Sequence, residues 1–145
     1  MFDIAAHSFD LPESFLQKYK GKQPDFGPLG LFTYKRTYSR TLEDGRSEEY
    51  WETCQRVVEG TFSIQRNHCK RNHLPWDERK AQRTAKRMFE LMWSFKLLPP
   101  GRGLWAMGTK YVQERGGAAL NNCAFVSTKD LALDPIKPFM FIMDM

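Results

Sequence analysis

Apolar residues recur at intervals of three or four positions in two segments, and each segment predicts an amphipathic helix. The first follows Ser47 and two glutamates, which can cap free backbone amides and meet the positive end of the helix dipole. Its apolar positions are Tyr50, Trp51, Cys54, Val57, Val58 and Phe62. The second covers about residues 77–96, opens on Asp77, and has on one face Ala81, Ala85, Met88, Phe89, Met92 and Trp93. Both faces are expected to be core, which makes Cys54 a buried, inert thiol.

The other segments carry weaker patterns. Pro12 in a first helical turn, with apolar residues after it, predicts a short helix over residues 11–20. Glycine and proline favour a loop over residues 21–30. The alternation of aromatic with polar residues over 31–40 predicts an extended segment or an irregular crossing. Two prolines followed by glycines predict a loop over residues 99–109, whose backbone a ligand could approach closely.

Net charge, the lengths of apolar runs and the cysteines limit the classes of protein to which this chain can belong. The formal net charge is +5, from 22 basic and 17 acidic residues, and this excess fits phosphate-bearing partners as well as an ordinary solvated surface. No run of about 18 apolar residues exists, so no membrane span is predicted. The amino terminus lacks the pattern of a secretory signal. Three cysteines without CxxC spacing argue against a secreted disulfide framework, and the reducing cytoplasm is the expected location.

Two clusters of polar residues are further candidates for a metal site or an anion site. His68, Cys69 and His73 lie in one short window but lack a second half with metal-ligand spacing, so no metal site is predicted. The second helix carries a basic face, which is more often only solvated. The residues of this face are Arg79, Lys80, Arg83, Lys86 and Arg87. The basic residues of the window at 66–73 are not accompanied by an RNA-binding, helix-turn-helix or zinc-finger pattern, so no nucleic-acid module is predicted there.

The sequence around Cys123 is the most informative stretch for function. The thiol follows the two amides of Asn121 and Asn122, and residues 124–126 predict a brief buried strand. Considered alone, a cysteine in such a position is more often structural than reactive. In the glycine-rich segment before it, Arg102 and exposed amides suit an anionic ligand, although neither a Walker loop nor GxGxxG is present.

Several motifs occur together in a fixed order: FTYKRTYSR at 32–40, RVVEG at 56–60, PGRGLW at 100–105, GT at 108–109 and LNNCAFV at 120–126. This set resembles the N-terminal part of adenosylcobalamin-dependent ribonucleotide reductases, in the monomeric ribonucleoside-triphosphate reductase branch. The resemblance extends from about Gly27 to Met145. It implies an α/β fold that is mainly α here, with a helical region over residues 1–98. Residues 99–145 would begin a ten-stranded α/β barrel and supply its first strand.

The resemblance also implies roles for individual residues. Cys123 matches one thiol of the dithiol pair that gives two electrons to the ribose and leaves as a disulfide. Asn122 and the segment of Arg102 and Gly103 match substrate-binding positions. In the family, a third cysteine becomes a thiyl radical after the carbon–cobalt bond of adenosylcobalamin breaks. This cysteine is not in this chain. Neither is the adenosylcobalamin site. The implied partners are a ribonucleotide substrate, the remainder of the reductase chain and a thioredoxin-type reductant, with no membrane.

The mostly apolar residues 138–145 end without a cap, a turn or a polar tail. We therefore expect the chain to be one part of a longer, split or interrupted protein, inactive by itself. Two alternatives remain at this point. One is a free-standing basic module that binds nucleic acid or another polyanion, and the other is an inactive remnant derived from a reductase.

Overall fold

The computed structural model describes residues 7–121, 123, 125–129 and 132–144. The described part of the chain is mainly helical. Its α-helices are α1 (Glu13–Leu16), α2 (Gly27–Thr37), α3 (Tyr50–Arg71), α4 (Glu78–Trp93), α5 (Gly101–Ala106), α6 (Lys110–Arg115) and α7 (Lys137–Asp144), with a 3₁₀ helix at Gly117–Leu120. The one pairing of extended backbone within these residues is an isolated antiparallel bridge between Thr41 and Ser47. None of these helices is both long and apolar enough to cross a membrane.

Helices α3 and α4 pack against each other and confirm the two amphipathic predictions. Helix α3 begins at Tyr50 rather than directly after Ser47, because Glu49 is the N-cap and forms a capping box with Glu52. Helix α4 begins as expected, with the Oδ1 atom of Asp77 accepting a hydrogen bond of 3.0 Å from the amide of Lys80. The predicted apolar faces of both helices are therefore the centre of the core.

The N-terminal segment completes this core with aromatic side chains. Phe9 is fully buried and stacks on Phe62 of α3, with ring centroids 5.1 Å apart. Phe15 of α1 meets the ring of Phe89 of α4 edge to face at 5.3 Å. Such aromatic pairs stabilise a core beyond the area they bury. Cys54 is fully buried among these residues, which confirms the prediction of a core thiol.

The predictions for residues 21–40 were wrong in part, because helix α2 covers Gly27–Thr37 in place of loop and extended chain. Pro28 fits a first helical turn, where its missing amide hydrogen costs nothing. The helical turn buries Tyr34, whose hydroxyl donates to the backbone oxygen of Glu48 at 3.1 Å. Burial of this ring against α3 outweighs the preference of aromatic and threonine residues for extended backbone.

Two other boundaries also differ from the sequence prediction. Helix α1 ends at Leu16, and turns continue to Gly21 where the prediction had helix to residue 20. The loop predicted over residues 99–109 is wrong, since α5 occupies Gly101–Ala106. Pro100 serves as its N-cap, and Leu104 and Ala106 are buried, so packing holds a helix in a glycine-rich sequence.

The strand predicted at residues 124–126 is absent at Phe125 and Val126, the two of these positions that the structure describes. Ala124 lies outside the described residues, whereas Phe125 and Val126 have no strand pairing and Phe125 is 90% exposed. A strand needs a neighbour to satisfy its backbone hydrogen bonds, and the described part of the chain offers none here. The apolar run alone therefore does not produce a strand at Phe125 and Val126.

Candidate functional site

Cys123 follows the 3₁₀ helix Gly117–Leu120 and has an exposed side chain in an irregular segment. It is not part of either buried cluster of the protein. The neighbouring Asn122, predicted to contact substrate, lies outside the described residues. An exposed thiol can be approached by a second thiol or by a substrate, which a structural cysteine in a core cannot.

Arg102 makes a hydrogen bond from α5 to the segment of Cys123, beside the buried apolar cluster of Ala106, Val112 and Ala119. Its Nη1 atom donates a hydrogen bond of 2.8 Å to the backbone oxygen of Asn121, two residues before the thiol. The rest of the exposed guanidinium carries further N–H donors. The structure thus brings together two parts of the chain that the sequence analysis singled out separately.

Gly103 lies on the buried side of α5. A Cβ atom at this position would be 3.0 Å from the Cβ of Pro99, so a larger residue would push the helix away from the proline. The glycine therefore allows the first turn of α5 to fold closely over the two prolines. This packing fixes the direction in which Arg102 leaves the helix.

Sequence reasoning missed a buried ion pair that holds α5. Glu48 is buried and Arg56 is partly buried, with 3% and 14% of their side chains exposed. Arg56 donates to the Glu48 carboxylate through Nε at 2.8 Å and Nη2 at 2.9 Å. The same guanidinium donates to two backbone oxygens of the α5 segment, those of Leu104 at 2.8 Å and Met107 at 2.5 Å. We call this set of contacts the Arg56 clamp.

The turn after α5 also approaches α3 backbone to backbone, at two glycines. A Cβ atom on Gly60 would be 2.6 Å from the Cα of Gly108, and one on Gly108 would be 2.3 Å from the backbone oxygen of Arg56. Gly108 also has a φ of +76°, in the left-handed region that glycine adopts most easily. The pairing of these two glycines and the Arg56 clamp together dock α5 and the following turn on α3.

The His68, Cys69 and His73 window does not form a group of potential metal ligands. Among the described residues, the group with ligand atoms within 4.8 Å of one another is that of His7, Asp10 and Glu59. Glu59 already accepts a hydrogen bond of 2.8 Å from the amide of Leu11, and this contact ties the N-terminal segment to α3. Burial raises the pKa of the Glu59 carboxyl, although the Leu11 amide opposes the shift.

The basic face of α4 borders a shallow surface depression of about 680 Å³. Two acidic residues share its rim, and Arg87 lies 3.7 Å from Glu90. This mixture of charges on an exposed helix is typical of a solvated surface. The geometry here offers no enclosed site for an anion.

The cysteines differ in their access to reagents, and alkylation is expected to report this. In the folded chain we expect iodoacetamide to modify Cys123 first, Cys69 more slowly and Cys54 hardly at all. Burial raises the pKa of Cys54, and only a thiolate reacts, so burial slows the alkylation of this thiol through its protonation as well as through access. Mass spectrometry of tryptic peptides would measure the order. Rapid labelling of Cys54 without denaturant would contradict the buried position.

Comparison with known proteins agrees with this architecture. The model of the ribonucleotide reductase alpha domain matches residues 11–109. A probable adenosylcobalamin-dependent ribonucleoside-triphosphate reductase of Dictyostelium discoideum is 47% identical over 139 residues, covering 94% of this chain and 18% of the relative. The corresponding reductase of Euglena gracilis is 46% identical over 143 residues, covering 96% of this chain and 20% of the relative.

A solved structure of a B-12-dependent class II ribonucleotide reductase is similar in fold, with a TM-score of 0.67 and 38% identity. The match covers 82% of this chain and 17% of that one. The chain thus spans about a fifth of the length of the curated relatives it matches. Since the family model covers more than half of the chain, the chain belongs to the ribonucleotide reductase alpha-domain family.

Proposed function

We propose that this chain supplies the N-terminal part of an adenosylcobalamin-dependent ribonucleotide reductase and that Cys123 is one of its two substrate-reducing thiols. The observation that carries the proposal is the match to the Euglena gracilis reductase over 96% of this chain. The unmatched 4% corresponds to about six of 145 residues, so the similarity extends through the segment of Cys123. The exposed position of this thiol supports a chemical role over a packing role.

Reduction of a ribonucleotide consumes two electrons and two protons. Two thiols supply both: each gives up its proton, a sulfur–sulfur bond forms, the 2′ carbon gains hydrogen and the 2′-hydroxyl leaves as water. The second thiol is not expected to come from this chain. Cys54 is enclosed in the core, and Cys69 lies on α3 beside Pro75 and Trp76. We infer that the partner thiol is contributed by the remainder of the longer protein.

We propose that Asn122, Arg102 and Gly103 belong to the substrate-binding segment. The guanidinium of Arg102 uses one N–H to hold the backbone oxygen of Asn121 and is otherwise exposed, which suits an anionic group of a nucleotide. Gly103 acts through shape, because it lets α5 fold against Pro99. Asn122 would present its amide beside the thiol.

Adenosylcobalamin is proposed as the cofactor of the whole reductase and would supply the radical that starts the reaction. The residues described here do not fit it. Their main apolar recess, of about 500 Å³, is lined almost wholly by aromatic and aliphatic side chains, including Phe26, Tyr38 and Phe95. The many amide groups of a corrin ring require polar partners, whereas the polar side chains of this lining are a few hydroxyl groups, and those of Tyr34 and Tyr50 already donate to backbone oxygens of the protein. The cofactor is therefore assigned to the remainder of the protein.

The domain organisation, the substrate, the reductant and the cellular location follow from the same proposal. Residues 1–98 would form a helical region and residues 99–145 the beginning of a ten-stranded α/β barrel. The segment with Phe125 and Val126 would pair as the first strand once neighbouring strands are supplied, and the exposed apolar side chain of Phe125 supports this. We infer a ribonucleotide substrate, a thioredoxin-type reductant and a cytoplasmic location.

A chimeric enzyme tests the proposal. This chain would replace the matching segment of the Euglena gracilis reductase, and deoxynucleotide formation would be followed with adenosylcobalamin and a dithiol reductant. We expect activity in the chimera, and loss of multiple turnover on Cys123→Ser because no disulfide can form and be reduced again. Cys69→Ser is the matched control and should keep the activity. Undiminished turnover in the Cys123→Ser chimera would contradict the assignment.

A further inference from the structure

The Arg56 clamp extends from the core to the segment of the proposed thiol. Glu48 holds the guanidinium from one side, and its Oε2 atom also accepts a hydrogen bond of 2.7 Å from Thr53. On the other side, Arg56 holds the backbone oxygens of Leu104 and Met107. A guanidinium fixed by a buried carboxylate presents its remaining donors in a rigid fork. The end of α5 is therefore tied to α3 in one orientation.

From α5 the connection continues through Arg102 to the oxygen of Asn121. The backbone contact of Gly60 with Gly108 fixes the turn after α5, so the helix cannot slide along α3 without a collision. Arg56 itself is mostly buried and does not reach the exposed segment of Cys123. Its effect on the thiol has to pass through α5.

We propose that Arg56 is a positioning residue of the reductase: by clamping α5 to α3 it sets the place from which Arg102 holds the backbone before Cys123. This inference rests on the proposed function of Cys123. A misplacement of about 1 Å can lower a rate on the order of a hundredfold when two groups must meet, as the two thiols and the ribose must. The clamp therefore acts on the rate of reduction, and through Arg102 it also acts on the affinity for substrate.

Arg56→Lys is the informative variant, because lysine keeps the charge opposite Glu48 but cannot make the forked contact and both carbonyl contacts together. The first measurement uses the 145-residue chain itself. Spin labels on Cys69 and Cys123, with Cys54 buried and unlabelled, report the distance distribution between α3 and the thiol segment by double electron–electron resonance. We expect the distribution to broaden in Arg56→Lys and also in Arg102→Ala.

Two controls separate positioning from loss of stability. Phe89→Leu removes buried contacts in the aromatic core without touching the clamp, and it should lower the melting temperature while leaving the distance distribution unchanged. The double variant Arg56→Lys with Arg102→Ala should broaden the distribution no more than one single variant does, because both changes interrupt the same connection. Additive broadening, or equal broadening in Phe89→Leu, would overturn the proposal.

The second measurement uses the chimeric reductase. Arg56→Lys is expected to lower kcat on the order of tenfold to a hundredfold, with a smaller rise in KM through the displaced Arg102. A raised KM at unchanged kcat, or wild-type values of both, would overturn the positioning role. If the unmutated chimera were inactive, the proposed function would fail, whereas the spin-label distances would still decide whether Arg56 fixes the thiol segment.

Discussion

Replacement of Gly108 by alanine is expected to lower the melting temperature of the chain by about 5–15 °C. Two costs add. The positive φ of Gly108 is unfavourable for a residue with a side chain, and the new Cβ would lie 2.3 Å from the backbone oxygen of Arg56. Strain and overpacking of this kind together cost about 2–5 kcal/mol. The colliding atom is helix backbone, so no side-chain rotation relieves the contact.

Two variants separate these costs. Gly116 has a φ of +74° but open space around its Cβ position, so Gly116→Ala measures the conformational cost without the collision. Gly60→Ala produces the collision from the α3 side, because its Cβ would lie 2.6 Å from the Cα of Gly108. Without this collision, alanine would stabilise the helix relative to glycine by about 1 kcal/mol. Thermal unfolding followed by circular dichroism is the measurement. Equal melting temperatures for Gly108→Ala and Gly116→Ala would show that the turn does not press on α3.

Sequence patterns predicted the two central helices because their information is local. The apolar period of α3 and α4 and the acidic residues at their starts lie within each helix, so no tertiary contact was needed to find them. Helices α2 and α5 were missed for the opposite reason. Their glycine, proline and aromatic residues favour other conformations, and only the burial of Tyr34 and Leu104 against the core selects the helix.

The residues of the candidate site also fall into those that the sequence predicted and those that only the fold brings together. Cys123, Asn122, Arg102 and Gly103 were identified from motifs that the family resemblance connects. The Arg56 clamp could not be found by periodicity, because Glu48 precedes the cap of α3 and the other two acceptors are backbone oxygens about 50 positions later. An arginine on a helix and a glutamate before it read as ordinary surface charges until the fold brings α5 over them.

The second large effect is expected for Glu48→Ala, which should lower the free energy of unfolding by about 3–5 kcal/mol. The carboxylate is almost fully buried, and it accepts hydrogen bonds from Arg56, through Nε and Nη2, and from the Thr53 hydroxyl. Removing it leaves a guanidinium in the interior without its counter-charge. The two carbonyl contacts to α5 replace only part of the lost interaction. Denaturant unfolding at constant pH would measure the difference.

The exposed pair of Lys110 and Glu114 gives the matched comparison. Its atoms are 3.7 Å apart on the surface of α6, so Glu114→Ala removes the same type of side chain from an ion pair in water. Such pairs contribute less than about 1 kcal/mol, and the contribution decreases further in salt. The double variant Glu48→Ala with Arg56→Met should recover part of the stability, because an apolar side chain no longer requires a partner. A double variant less stable than Glu48→Ala alone would mean that the carbonyl contacts of Arg56, rather than its charge pairing with Glu48, hold α5 on α3.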